Sequence, residues 1–160
     1  WLSNHFVNTV ELVERHVLSR VYSSLNSLFE EWFLLLVGDG SLSARLDDSF
    51  TPVIVQNGFE SSFEFLSGGE RTACALAYRL SLNQVVNDVV SSLKTKGLLL
   101  LDEPSEGFSR EQLERFRDVL SSLKLAQVGI VSHEEVLEGF VDTVLRVKKE
   151  HHKSVVGSGV

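Results

Sequence analysis

Methionine is absent from this chain of 160 residues, cysteine occurs once and proline twice. The lone Cys74 excludes a disulfide framework and fits a reducing, cytoplasmic compartment. No apolar run approaches the roughly 20 residues that a membrane-spanning helix needs, and the first residues carry no signal-peptide pattern. Also missing is any Gly-x-x-x-x-Gly-Lys-Ser/Thr loop, whose backbone amides and lysine would grip a nucleotide's phosphates. Positive charge is in deficit: 15 Lys and Arg stand against 22 Asp and Glu, for a net charge of -7. That balance argues against a surface given over wholly to nucleic acid, and Arg15 and Arg20 are too sparse to trace a DNA track. Trp1 stands where an initiator methionine would, so the chain reads as a piece of something longer.

What is present is enough for one domain with a core: 43% of residues are apolar and 23% charged. Phe6, Val10, Val13, Val17, Val21, Leu25, Phe29, Trp32 and Leu36 recur at steps of three or four, which predicts one long helix. Val7, Leu18, Tyr22, Leu28 and Phe33 widen its apolar face beyond what one contact requires. The helix is therefore expected both to pack on its own core and to meet a partner, with the large aromatics Tyr22, Phe29 and Trp32 as anchors. Gly38-Asp39-Gly40 ends it. Leu42, Ala44 and Leu46 alternate with polar residues as in a strand. Residues 52–56, an Asn57-Gly58 turn and residues 59–65 read as an antiparallel hairpin.

From Ser67 onward the pattern is α/β. A helix over 68–93, a strand over 97–102 apolar enough to be buried on both faces, and a helix over 109–123 follow one another. A second buried strand over 128–132, a short helix over 134–140 and a third strand over 143–148 complete the series. Such alternation predicts a largely parallel sheet with flanking helices. Three segments result: residues 1–37 as the long helix, 38–150 as the globular part, and 151–160 as a flexible tail ending in Gly157-Ser158-Gly159-Val160.

Three short stretches carry chemistry. Ser67 precedes a helix and Glu70 stands three residues later, a capping box. Gly68-Gly69 within it removes side chains where backbone amides at a helix N-terminus could meet an anion. Asp102 closes an apolar strand, where ligands of α/β sheets bind, and suits Mg²⁺ held through water. Glu103, one residue on, is placed to orient or deprotonate an attacking water. His133 follows the next strand about thirty residues later, where an imidazole can contact a phosphate and sense its loss. Ser109, with Gln112, is expected to cap the intervening helix.

In that order and spacing, Leu66-Ser67-Gly68-Gly69-Glu70, Leu98 to Glu103 and Ser132-His133 resemble the signature motif, Walker B strand and switch histidine of an ABC-type ATPase head. With Val55-Gln56-Asn57-Gly58-Phe59-Glu60, Ala75-Leu76-Ala77-Tyr78-Arg79-Leu80 and Leu101-Asp102-Glu103-Pro104, the chain resembles the SMC-like family of chromosome and repair ATPases. Within that family the likeness is to the archaeal Rad-fifty type. The resemblance implies the C-terminal half of an ABC-type P-loop ATPase head, preceded by the helix at the base of a coiled coil. It implies ATP and Mg²⁺ as ligands. The implied partners are the N-terminal half of the same head, a second head in a homodimer, DNA, and an Mre-eleven-type nuclease docked on the helix that carries Tyr22, Phe29 and Trp32. No membrane is involved, and the setting is a prokaryotic nucleoid.

In this resemblance Ser67, Gly68, Gly69 and Glu70 act on ATP held by the opposite head, whereas Asp102, Glu103 and His133 act on the ATP of their own head. Arg79 matches the basic residue that relays nucleotide binding. One departure concerns the D-loop, where the family often ends in Leu-Asp and this chain has Phe108-Ser109. Alternatives are the corresponding half of another SMC-class ATPase, a transporter cassette, which would place the phosphate loop in the same short chain, or a non-enzymatic ABC-like adaptor.

Overall fold

A computed structural model describes residues 2–89, 97–123, 125–150 and 153–159. Helix α1 runs over Leu2–Val37, an uninterrupted 36 residues free of Gly and Pro. It stops at Gly38, whose φ of +65° only glycine adopts without strain and whose N–H donates to Leu34 O at 2.9 Å. A side chain at Gly38 would also collide with Arg115, since an added Cβ would lie 2.1 Å from its Cζ. That guanidinium donates from Nη1 to Val37 O and so satisfies a carbonyl at the helix end.

The two halves of α1 live in different surroundings. Leu25, Phe29, Trp32, Phe33, Leu36 and Val37 are buried, whereas every residue from His5 to Arg20 is exposed. Phe29 has no exposed surface and Trp32 retains 7%. Tyr22 is half-buried and donates its hydroxyl to Leu46 O at 2.7 Å. These three aromatics are therefore core residues in this lobe and do not form a docking face. The large apolar side chains that α1 does present include Phe6, Val10, Val13 and Val17.

Strands β1 (Leu42–Leu46), β2 (Pro52–Gln56) and β3 (Phe59–Ser61) form an antiparallel meander in the order β1-β2-β3. Leu42, Ala44 and Leu46 point inward, as their alternation predicts. Asn57 and Gly58 both have positive φ, as a two-residue hairpin turn demands. The extended segment stops at Ser61, short of the expected Phe65, because Ser62 caps a single 3-10 turn over Phe63–Phe65.

Helix α2 (Gly68–Val89) follows; its expected continuation to Leu93 lies outside the described residues. Strand β4 (Leu98–Asp102), helix α3 (Arg110–Ser122) and strand β5 (Gln127–Val131) then make one parallel pair, with Leu98 opposite Gln127 and Asp102 opposite Val131. Among the described residues only one face of this pair is covered. Leu99 and Leu101 join the core with the helices, while Leu100 is 73% and Val131 65% exposed. Burial on both faces, expected from the apolar run, is not reached in this lobe.

The largely parallel sheet also needs correction. Strand β6 (Val144–Glu150) pairs antiparallel with β7 (Lys153–Gly159), from Val144–Gly159 to Glu150–Lys153. The supposed tail supplies a strand, because two segments adjacent in sequence close a hairpin at little entropic cost. The core itself gathers the buried half of α1, one face of α2, α3 through Leu113, Phe116 and Val119, and the inner sides of β1, β2 and β4.

Candidate nucleotide site

Two places bring the sequence candidates together. The first is the N-terminus of α2. Ser67 N–H donates to Glu70 Oε2 at 2.7 Å, and Glu70 N–H donates back to Ser67 Oγ at 3.3 Å, so the capping box is complete. Ser67 and Gly68 are exposed, and a Cβ at Gly68 would meet nothing within 4 Å. Gly69 is different. It is buried, and a Cβ there would stand 2.5 Å from Gln112 Oε1 and 2.8 Å from Gly107 O. Its missing side chain admits a neighbouring loop of the same chain, so the approach of a ligand is left to Ser67 and Gly68.

That loop, Pro104 to Ser109, is locked to α2. Thr72 Oγ1 donates to Glu106 O at 2.8 Å. Gly107 turns with a φ of +79° and packs on the backbone of Gly68 and Gly69. Ser109 caps α3 with a reciprocal box, accepting from Gln112 N–H at 3.3 Å and donating its own N–H to Gln112 Oε1 at 3.0 Å. The departure at Phe108-Ser109 thus has a local structural role. Ser105 is buried and its hydroxyl has no partner among the described residues. Arg79 is exposed on α2 on the face it shares with Arg71 and Ala75, and makes no ion pair among the described residues.

The second place is the carboxyl edge of β4 and β5. Asp102 is exposed at the strand end. Glu103 turns back with a φ of +43°, a left-handed conformation uncommon for a residue with a Cβ, and donates its N–H to Val131 O at 2.9 Å. Its two carboxylate oxygens are held separately. Oε2 accepts from Ser132 Oγ at 3.1 Å, and Oε1 lies 3.0 Å from His133 Nδ1. The hydrogen bond from His133 is the first cause, and that from Ser132 a lesser one, that keep the Glu103 carboxyl below its ordinary range. The same bond to Glu103 raises the imidazole above its ordinary range. With Nδ1 turned to Glu103, Nε2 is the nitrogen left for another ligand.

Sequence reasoning gave roles to Glu103 and His133 but none to Ser132, which it named only as the histidine's neighbour in the Ser132-His133 motif. It also missed Arg115, which no motif marks. Cys74 is buried, and loss of solvation pushes its thiol up to about 11, so it packs as a protonated side chain. Among the described residues no group of three His, Cys, Asp or Glu could hold a metal ion, and no helix is long and apolar enough to cross a membrane.

No family model matches the chain. It is 34% identical over 148 residues to the DNA double-strand break repair Rad50 ATPase of Thermococcus kodakarensis. It is 32% identical over 151 residues to that of Pyrococcus abyssi. Each match takes in 91% of this chain but only 16% of the relative, so the chain spans about a sixth of the proteins it resembles. Among solved structures it is similar to the Smc head domain of Pyrococcus furiosus, which carries an extended coiled coil and is bound to the C-terminal domain of ScpA. The TM-score is 0.75 at 23% identity, over 96% of this chain and 39% of that one. The Smc head domain of Pyrococcus yayanosii, with a coiled coil and joint, gives a TM-score of 0.74 at 23% identity, over 96% of this chain and 30% of that one. At such identity the structures speak for the fold, that of an SMC head, and the sequence relatives speak for descent. Identity of 32–34% along nine-tenths of the chain, on the fold of an SMC head, shows that the chain belongs to the Rad50 family of SMC-like ATPases, as the C-terminal half of its head.

Proposed function

We propose that this chain supplies the hydrolytic and signature half of an ATP-driven DNA double-strand-break repair ATPase. An N-terminal half carrying the phosphate loop would complete the head. Two heads would close on ATP, and that closure would control an Mre-eleven-type nuclease at DNA ends. The observation that carries this reading is the carboxylate of Glu103, presented at the end of β4 and gripped through both oxygens by the residues that follow β5.

The residues fit the implied ligands. Asp102 is exposed at the strand end and suits an Mg²⁺ held through water; that ion keeps most of its shell from water and phosphate, so a single protein carboxylate suffices. When bound, Mg²⁺ neutralises charge on the β- and γ-phosphates. Glu103 orients the attacking water and takes its proton on a carboxylate oxygen. His133, whose Nδ1 is turned to Glu103, would offer Nε2 to the γ-phosphate. The exposed turn at Ser67 and Gly68, at the positive end of α2, would face the ATP of the opposing head, with no side chain at Gly68 to block the approach. Arg79, exposed on the same helix, relays that contact.

Nuclease docking moves from the buried aromatics to the exposed run of α1. Phe6, Val10, Val13 and Val17 follow steps of four, three and four, the spacing of a coiled-coil seam, so the other arm of the coil shares this face. A C-terminal head half of an SMC-class chromosome ATPase is the second reading, favoured by the Smc-like fold. We rank it second because identity is 34% to a repair relative against 23% to an Smc head.

In a head reassembled with a phosphate-loop half, Glu103→Gln should keep ATP binding and slow hydrolysis by about 10²–10⁴-fold, the usual cost of losing a positioned base. The ATP-bound dimer should then accumulate in sedimentation. Turnover near that of the unsubstituted head would assign the base elsewhere.

A further inference from the structure

We propose that Ser132 is a positioning residue for hydrolysis, holding the Glu103 carboxylate in the orientation in which it meets the attacking water. The inference rests on the reading of Glu103 as the catalytic base.

The hydroxyl of Ser132 has one proton to donate and lone pairs to accept with. Glu134 N–H donates to Oγ at 3.2 Å, which occupies the acceptor side and fixes the rotor. The remaining proton is directed at Glu103 Oε2, 3.1 Å away. The serine therefore acts as a donor of set direction and not as a freely turning hydroxyl. It is half-buried, so water does not easily replace it.

Glu103 needs such a brace. Its strand has ended, its backbone lies in the left-handed region at a φ of +43°, and it is tied to the sheet by one hydrogen bond, from its N–H to Val131 O. The carboxylate stands beyond that point with rotatable bonds of its own. His133 holds Oε1, but its side chain is 74% exposed, and in the proposed cycle its Nε2 meets the γ-phosphate, so its grip changes during turnover. Ser132 lies on the opposite oxygen and is pinned by the backbone of Glu134, which does not take part. When the imidazole shifts, the serine is the contact that keeps the carboxylate plane in place. Misplacing a catalytic group by about an ångström can cost on the order of 100-fold in rate.

The test uses the head reassembled with a phosphate-loop half, assayed with ATP and Mg²⁺. Ser132→Ala should lower kcat between about 10- and 100-fold while KM for ATP and ATP-dependent dimerisation stay as they were. Ser132→Thr keeps an Oγ and should recover most of that loss. Combined with Glu103→Gln, Ser132→Ala should add little, since both act through one carboxylate. Full activity of Ser132→Ala in a head where Glu103→Gln abolishes turnover would overturn the positioning role and leave the proposed function standing. Equal losses in the alanine and threonine variants, following a fall in Tm, would also overturn it and leave Ser132 a structural residue. Full activity of Glu103→Gln would instead overturn the reading of the base on which both rest.

Discussion

Glu103 sits in a backbone conformation that costs a side-chain-bearing residue about 1–2 kcal/mol. Such conformations gather at functional sites, where surrounding contacts over-determine them. Here those contacts are Val131 O, Ser132 Oγ and His133 Nδ1. The pair of Glu103 and His133 has a defined pH window. The histidine, raised by the bond to Glu103, contributes fully below its ordinary 6.5 and loses that contribution as pH rises through its higher folded pKa. The glutamate, lowered chiefly by the bond from His133, contributes fully above its ordinary 4.5 and loses it as pH falls through its lower folded pKa. The pairing is therefore complete between 4.5 and 6.5 and fades outside. An NMR titration of the His133 ring should show a midpoint above 6.5 that returns toward that value in Glu103→Gln. An identical midpoint in both proteins would mean that the two side chains do not pair in solution.

Among elements, the N-terminus of α2 and the loop before α3 behave as one unit. Gly69 is buried against Gly107 O and Gln112 Oε1, Thr72 reaches Glu106 O, and Gln112 at once caps α3 and covers Gly69. Farther along α3, Arg115 holds the C-terminal carbonyl of α1. Helix α2, the loop from Pro104 to Ser109 and α1 are thus joined through α3. Gly69→Ala should strain this joint, because backbone on one side and an engaged amide on the other leave the new methyl no room. The cost should be about 1–3 kcal/mol, typical of overpacking. Denaturant unfolding of the reassembled head reads it, and an unchanged midpoint would show that α2 can shift away from the loop. Both capping boxes were legible in the sequence, since a cap depends only on residues three apart. The tie between them was not, since Thr72 and Glu106 stand 34 positions apart.

The chain as a whole carries the groups proposed for hydrolysis, Glu103 and His133, and no phosphate-loop pattern. Alone it should neither bind ATP tightly nor turn it over, because that loop supplies most of the grip on the phosphates. An ATPase assay of the purified chain should show no activity above background, and adding a phosphate-loop half should restore it. Robust turnover by the chain alone would refute the division of labour proposed here. The uncovered side of β4 and β5, with Leu100 and Val131 exposed, and the uncovered run of α1 from Phe6 to Val17 fit a lobe whose apolar surface is completed by another segment.

Local pattern determined what local physics controls. The steps of three and four made α1 a helix, Gly38 ended it, Asn57-Gly58 turned the hairpin, and Ser67 and Ser109 capped their helices. The sequence also placed Asp102, Glu103 and His133 at strand ends, because a buried apolar run followed by polar residues marks such an end. Only tertiary structure decided which side of each element met the core. Phe29 and Trp32 belong to the same apolar stripe as Phe6 and Val13, with Tyr22 widening it, and periodicity cannot tell a covered turn from a bare one. Nor could it show that β6 would take β7 as its neighbour, since strand pairing depends on which segments are within reach. The grip of Ser132 on Glu103 belongs to the same class. It exists because two parallel strands, 29 positions apart at that contact, end side by side.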